Sequence, residues 1–162
     1  MDDIDLKILN TLKENSKQSV RDVSKITGVP STTIHSRINK LKKEGIIKRY
    51  TVDIDMEKLG KTITAYVMLL LNPQAYRKSK LPENKLPDDL LNNPIVEEAA
   101  TITGSRDAIL KVRTKDMKEL DEFIVNLRKM EMIVRTETLM VLYEGKSRSL
   151  KLDERLVSGR RK

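Results

Sequence analysis

Apolar residues recur at helical spacing from the first turn of the chain. Ile4, Ile8, Leu9 and Leu12 share one stripe, Asp2 stands where a cap belongs, and Asp5 three residues on favours the helix dipole. A shorter stripe of Val20, Val23 and Ile26 predicts a second helix over residues 19–27, stopped by Gly28, the residue that most easily takes a left-handed cap. Val29 and Pro30 turn the chain, and Ser31 opens a third helix with Ile34, Ile38 and Leu41 on one side and Gly45 at its end. Over residues 46–54 the period shifts toward alternation, which predicts two short strands turning near residues 48–51. Two helices, a tight glycine turn, a third helix and a β-ribbon make the winged helix-turn-helix plan.

After Gly60 the pattern resets. Residues 62–71 are apolar on both faces, as a strand covered twice requires. Pro73, Pro82, Pro87 and Pro94 punctuate the next stretch, which leaves room for only one short helix near residues 88–92. Residues 96–103 and 107–114 predict strands joined by a Gly104-Ser105-Arg106 turn. Residues 116–129 place Met117, Leu120, Phe123, Ile124 and Leu127 on one helical face, and residues 133–143 form the last strand. The order βαββαβ is the ferredoxin-like arrangement, with two helices on one face of a four-stranded sheet, so the fold class is α+β. The other sheet face lacks a cover within the chain, which predicts a homo-oligomer. The expected organisation is a winged helix-turn-helix domain over 1–50, a wing end and hinge linker over 51–61, a ferredoxin-like oligomerisation domain over 62–144, and a basic, flexible tail over 145–162.

Composition narrows the chemistry. The 162 residues suit one ordinary domain or two small ones, and the ten-residue apolar stretch at 62–71 is about half of what a bilayer span needs. The acidic start, Met1-Asp2-Asp3, is unlike a secretory signal, so a cytoplasmic location is expected. With no cysteine and one histidine, disulfides, thiolate nucleophiles and the usual zinc sites are excluded, and neither metal nor cofactor is expected. Residues 1–50 carry eleven Lys/Arg against six Asp/Glu, and residues 145–162 carry seven against two, while the stretch between them has fourteen against sixteen. Basic ends around a slightly acidic middle point to a polyanion, and one Phe with four Tyr are too few for a single-strand stacking platform. Double-stranded DNA is therefore the expected partner.

The side of the third helix opposite its apolar stripe carries Thr32, Ser36, Asn39, Lys40 and Lys43, with Thr33 beside them. Asn suits adenine, Lys suits guanine or phosphate, and small hydroxyls allow close approach to the groove floor. Arg37 lies on the flank, where a phosphate contact or an ion pair within the domain is expected, and Lys48 and Arg49 at the wing tip are expected to meet phosphates. His35 reads as a phosphate or groove contact, since a lone histidine has no catalytic partner. Gly145-Lys146-Ser147 lacks the earlier glycine and following helix of a phosphate loop, and Glu119, Asp121 and Glu122 read as a solvated face.

Several short stretches together resemble the leucine-responsive regulatory protein and asparagine-regulator family, Lrp/AsnC. They are residues 2–9, Thr33-Ile34 through Arg37-Ile38 to Leu41, residues 44–51, Lys58-Leu59-Gly60, Gly104-Ser105-Arg106-Asp107 and Arg135-Thr136-Glu137-Thr138. The resemblance spans about residues 2–144. It implies a DNA-binding domain followed by a RAM-type ligand-sensing domain that dimerises, with dimers often assembled into octamers and amino acids bound between dimers. The implied effector site comprises Gly104, Ser105, Arg106 and Asp107 with Thr136 and Thr138: backbone N–H groups for a carboxylate, Asp107 for an amino group, and Arg106 favouring acidic or polar ligands. Three features depart from the family pattern: Pro30-Ser31 stands in place of Ser-Pro, residues 72–86 are long and basic, and Arg106 replaces a frequent aromatic. Two other readings remain open. Sirohaem decarboxylases share this plan but rely on histidines, and a DNA-compacting architectural protein would also use a basic tail.

Overall fold

A computed structural model describes residues 1–82, 85–145 and 152. The chain forms two compact units, one built on residues 1–54 and the other on residues 55–144.

In the first unit α1 (Asp3–Glu14) begins with a reciprocal capping box in which Asp2 accepts from the Asp5 N–H and Asp5 accepts from the Asp2 N–H. A second box, Ser19 with Asp22, starts α2 (Val20–Thr27), and Gly28 ends it at φ +71°. Helix α3 (Ser31–Lys43) starts after Pro30 without a side-chain cap, as the Pro30-Ser31 order dictates. Ile8, Leu9, Leu12, Val23, Ile34, Ile38 and Leu41 close the core, whereas Ile26, expected inside, is exposed. A further expectation fails here. Residues 46–54 form no strand ladder, because Ile46 and Ile47 donate back to the Leu41 carbonyl and Ser16 donates to the Thr51 carbonyl, so this segment is tied to α3 and to the turn after α1 instead of to itself. Of the stretch expected to be mobile or to fold back loosely, Leu152 packs on this core; residues 146–151 and 153–162 lie outside the described residues.

The second unit runs β1 (Ile63–Leu71), α4 (Pro73–Lys78), α5 (Asp88–Leu91), β2 (Val96–Thr101), β3 (Ala108–Thr114), α6 (Met117–Arg128) and β4 (Ile133–Met140). The antiparallel sheet has the order β2-β3-β1-β4. Alternation splits it into two faces. Ala65, Val67, Leu69, Ala108, Leu110 and Val112 are buried with Leu120, Phe123 and Leu127 of α6. Tyr66, Met68, Leu70, Ile109 and Leu139 occupy the opposite face, crossed by ion pairs of Lys111 and Arg113 with Glu97 and Glu144. Met117, expected on the apolar stripe, is exposed on the first turn of α6. Glu119 is not a free surface carboxylate: the Lys115 N–H and Lys61 Nζ hold it, and its carboxyl titrates below the usual range chiefly through that backbone bond. The prolines did not exclude α4, since Asn72 caps it by accepting from Gln74 and Ala75 and Pro73 sits at its first position, where no N–H is needed.

Candidate functional site

Three buried side chains, Ile34, Ile38 and Leu41, clamp α3 to its unit, and the opposite side projects Thr32, Ser36, Asn39, Lys40 and Lys43 to solvent. A helix of 13 residues is about 20 Å long and about 10–12 Å across, the width that a major groove admits. His35 is exposed, and its Nδ1 lies 3.4 Å from Asn39 Nδ2 one turn on. Lys40 approaches Glu44 only at 3.9 Å, an exposed pair worth a few tenths of a kcal/mol, so its charge stays available. Thr32, Thr33, Ser36 and Lys40 line one shallow depression with Asp2 and Arg37. Lys48 and Arg49 are exposed and make no ion pair among the described residues, while Lys42 stacks 4.9 Å over the Tyr50 ring and ties their segment to the end of α3.

Arg37 forms the ion pair within its unit that was one of its two expected roles. Its Nη1 lies 2.6 Å from both Asp2 carboxylate oxygens and 2.9 Å from Asp5 Oδ1. That nitrogen joins α3 to the start of α1. Its hydrogen bond is also the main cause that holds the Asp2 carboxyl below the ordinary aspartate range.

At the β2–β3 turn Gly104 takes φ +122°, a conformation that side chains disfavour, and the Ile102 N–H closes the turn on the Asp107 carbonyl. Asp107 ties this turn to β1: its N–H donates to the Leu69 carbonyl, and its Oδ2 accepts from the Leu71 N–H at 2.7 Å. Arg106, expected from sequence to favour acidic or polar ligands, pairs with Glu137 of β4 and donates to the Ser105 carbonyl. Its Nε is buried and has no hydrogen-bond partner among the described residues. Thr136 and Thr138 pair in register with Leu69 and Val67, so they face the helix layer, opposite to Glu137, and the Thr136 hydroxyl accepts from Arg128. Within one chain they do not join the turn.

Sequence reasoning missed the residues that do flank Asp107. Leu71, Pro73, Tyr76, Arg77 and Ile102 line a cleft of about 510 Å³ with it, and α4 supplies three of them. The Tyr76 hydroxyl secures that side, lying within 2.9 Å of the carbonyls of Pro82 and Lys85 and of the Lys85 N–H. The Asn72-Pro73 start signature was the available signal. Among the described residues there is no cluster of metal-ligating side chains and no helix long and apolar enough to cross a membrane.

Comparison with known proteins agrees with this division. Residues 1–48 match the winged helix-turn-helix DNA-binding profile, and residues 64–150 match the Lrp/AsnC ligand binding domain. The chain is 34% identical over 142 residues to the HTH-type transcriptional regulator FL11 of Pyrococcus furiosus, covering 88% of this chain and 89% of the relative. Among solved structures, E. coli AsnC superposes with a TM-score of 0.78 at 28% identity, covering 94% of this chain and 99% of that one. The fold is also that of the transcriptional regulator NMB0573/L-Met complex from Neisseria meningitidis, with a TM-score of 0.84 at 21% identity over 96% of this chain and 99% of that one.

Proposed function

The chain belongs to the Lrp/AsnC family of helix-turn-helix transcriptional regulators, and we propose that it reads duplex DNA in the cytoplasm through the exposed face of α3. The observation that carries this reading is the row Thr32, Ser36, Asn39, Lys40 and Lys43 exposed on a helix whose other side is locked into the core. Asn39 reads a base, and Lys40, Lys43, Lys48 and Arg49 meet phosphates. Replacing Asn39 by Ala is expected to cost roughly 1–3 kcal/mol at the preferred site and little on random duplex. Replacing Lys48 and Arg49 by Ala is expected to weaken every sequence alike and to lower the salt slope by about 2 for each subunit bound. Quantitative gel shifts on specific and shuffled duplexes check both, and an equal loss on the two duplexes for Asn39→Ala would falsify the base assignment.

Two copies associate through the open sheet face, and the dimer places two α3 helices on a pseudo-palindromic site. The effector is an amino acid with an apolar side chain. Leu71, Pro73 and Ile102 offer an apolar wall, Arg77 a partner for a carboxylate, and Asp107 a partner for an ammonium. The L-Met complex of the Neisseria regulator supports that class. Calorimetric titration with apolar, acidic and basic amino acids is expected to show binding of the apolar set, weakened about tenfold or more by Arg77→Gln. No heat with any of them at millimolar concentration, or unchanged affinity in Arg77→Gln, rejects the assignment.

A further inference from the structure

His35 and Asn39 stand one turn apart on the exposed side of α3, where residues four apart are neighbours. Asn39 Nδ2 lies 3.4 Å from His35 Nδ1. A neutral imidazole with its proton on Nε2 offers Nδ1 as an acceptor, so the carboxamide turns its NH2 group toward the ring. That orientation decides what Asn39 presents outward. The N–H trans to the amide carbonyl points back along the helix to Nδ1, which leaves the carbonyl and the cis N–H side by side as a fork. Such a fork matches adenine, the carbonyl taking N6–H and the N–H reaching N7. The charged groups around the ring are engaged elsewhere. On α3 itself, Arg37 is held by Asp2 and Asp5 of α1, Lys40 approaches Glu44, and Lys42 covers Tyr50. On α2, Arg21, Asp22 and Lys25 are exposed, with Asp22 bonded to Ser19, and among the described residues no carboxylate pairs with the imidazole.

We propose that His35 is a positioning residue for base reading: its neutral ring sets which way the Asn39 amide faces, and protonation of the ring reverses that amide. An imidazole ordinarily changes charge within the range of about pH 5 to 8. Once protonated, Nδ1 is a donor and can no longer accept from Asn39. The amide then turns over so that Oδ1 accepts the Nδ1–H, and the order of the outward fork is inverted. Against the same adenine, the carbonyl now faces the N7 acceptor and the N–H faces the N6 donor, so both contacts are lost. The added positive charge meanwhile favours any duplex, whatever its sequence. Falling pH thus exchanges sequence preference for general affinity. Because the pair is exposed and the bond long, its effect on preference is about threefold to tenfold, the range of one net hydrogen bond. The inference rests on Asn39 reading a base, as proposed above.

The test measures discrimination, a ratio that a merely structural role would not move with pH. A duplex selected by the full-length parent from a random library at about pH 8 is varied at the base pair whose preference Asn39→Ala abolishes. The parent, His35→Gln and His35→Lys are then compared on the adenine and non-adenine versions at about pH 8 and about pH 5.5. The parent is expected to prefer adenine about tenfold at the higher pH and less than about threefold at the lower. His35→Gln still accepts from Asn39 through Oε1 but does not titrate, so its preference should be the same at both. His35→Lys is a donor at both pH values and should show the low preference throughout. A parent ratio that does not change with pH overturns the inference, as does a full preference in His35→Lys or a lost preference for a base other than adenine. Equal weakening of His35→Gln on selected and shuffled duplexes would make His35 a phosphate contact and also overturn it. If Asn39→Ala keeps every base preference of the parent, the base-reading assignment itself fails instead.

Discussion

Replacing Arg37 by alanine is expected to destabilise the N-terminal unit by about 2–3 kcal/mol. The guanidinium is the shared partner of two carboxylates, and the Asp5 side chain is only 3% exposed. Without Arg37, that carboxylate keeps the Asp2 N–H at 2.9 Å and the terminal ammonium at 4.0 Å. Stranding a buried charge costs about 3–5 kcal/mol when no water reaches it. Arg37 is itself 26% exposed, so water entering its place lowers the cost. For a unit this small the remaining figure is a large share of total stability and corresponds to a fall of roughly 10–20 °C in its unfolding transition. Calorimetry or circular dichroism on the full chain measures it. DNA affinity should vanish at temperatures where the parent still binds, and Arg37→Lys should recover part of the loss, because a lysine ammonium is a more strongly hydrated charge on a differently shaped stem that must reach the place of Nη1. Unfolding within a degree of the parent, together with a salt slope reduced by about 1, would return Arg37 to the phosphate contacts.

The same pair carries a pH dependence of definite sign. Arg37 holds the Asp2 carboxyl below its ordinary value, so folding favours the ionised form. The stabilisation is therefore present at neutral pH and is lost as pH falls below about 4, the unfolded aspartate value, through the depressed folded one. Arg37→Ala should lose that part of the acid dependence. Asp2 is more than half exposed, so the effect is small beside the cost at Asp5.

The second large effect is expected at the open face of the sheet. Met68 sits on the central strand β1, between Ile109 of β3 and Glu137 of β4 in register. A lysine there finds Glu137 as a neighbour in the single chain and leaves the fold intact. In a dimer closed over this face, two lysines would be withdrawn from water at a cost of several kcal/mol each. A loss of about 4 kcal/mol per dimer raises the dissociation constant about a thousandfold. Light scattering should then report 18.6 kDa for Met68→Lys at concentrations where the parent is at least twice that. Affinity for a two-half-site duplex should fall with it, since the second half-site no longer benefits from the first. A variant that keeps the parent's mass and dissociation constant would move the dimer interface elsewhere.

What could be read from the sequence was whatever depends on residues within about four positions of one another. The capping boxes Asp2/Asp5 and Ser19/Asp22, the left-handed stop at Gly28, the stripe Ile34, Ile38 and Leu41, and the continuous apolar run of β1 are all local, and each element formed where those signals stand. The exposed face of α3 followed from the same geometry, because naming its buried side names the other. The helix α4 was also local, in the Asn72-Pro73 cap, but a count of prolines obscured it. Tertiary structure alone decided which charges were spent and which remained. Arg37 meets residues 32 and 35 positions away, Arg106 meets Glu137 across the sheet, and Asn10 takes Leu152 at 142. No periodicity encodes such pairings, since a salt bridge or a bidentate amide bond needs only two groups brought within about 3 Å by everything folded between them. For the same reason the missing ribbon at 46–54 was illegible: alternation makes a segment able to pair, but a strand forms only where the fold presents another edge to it.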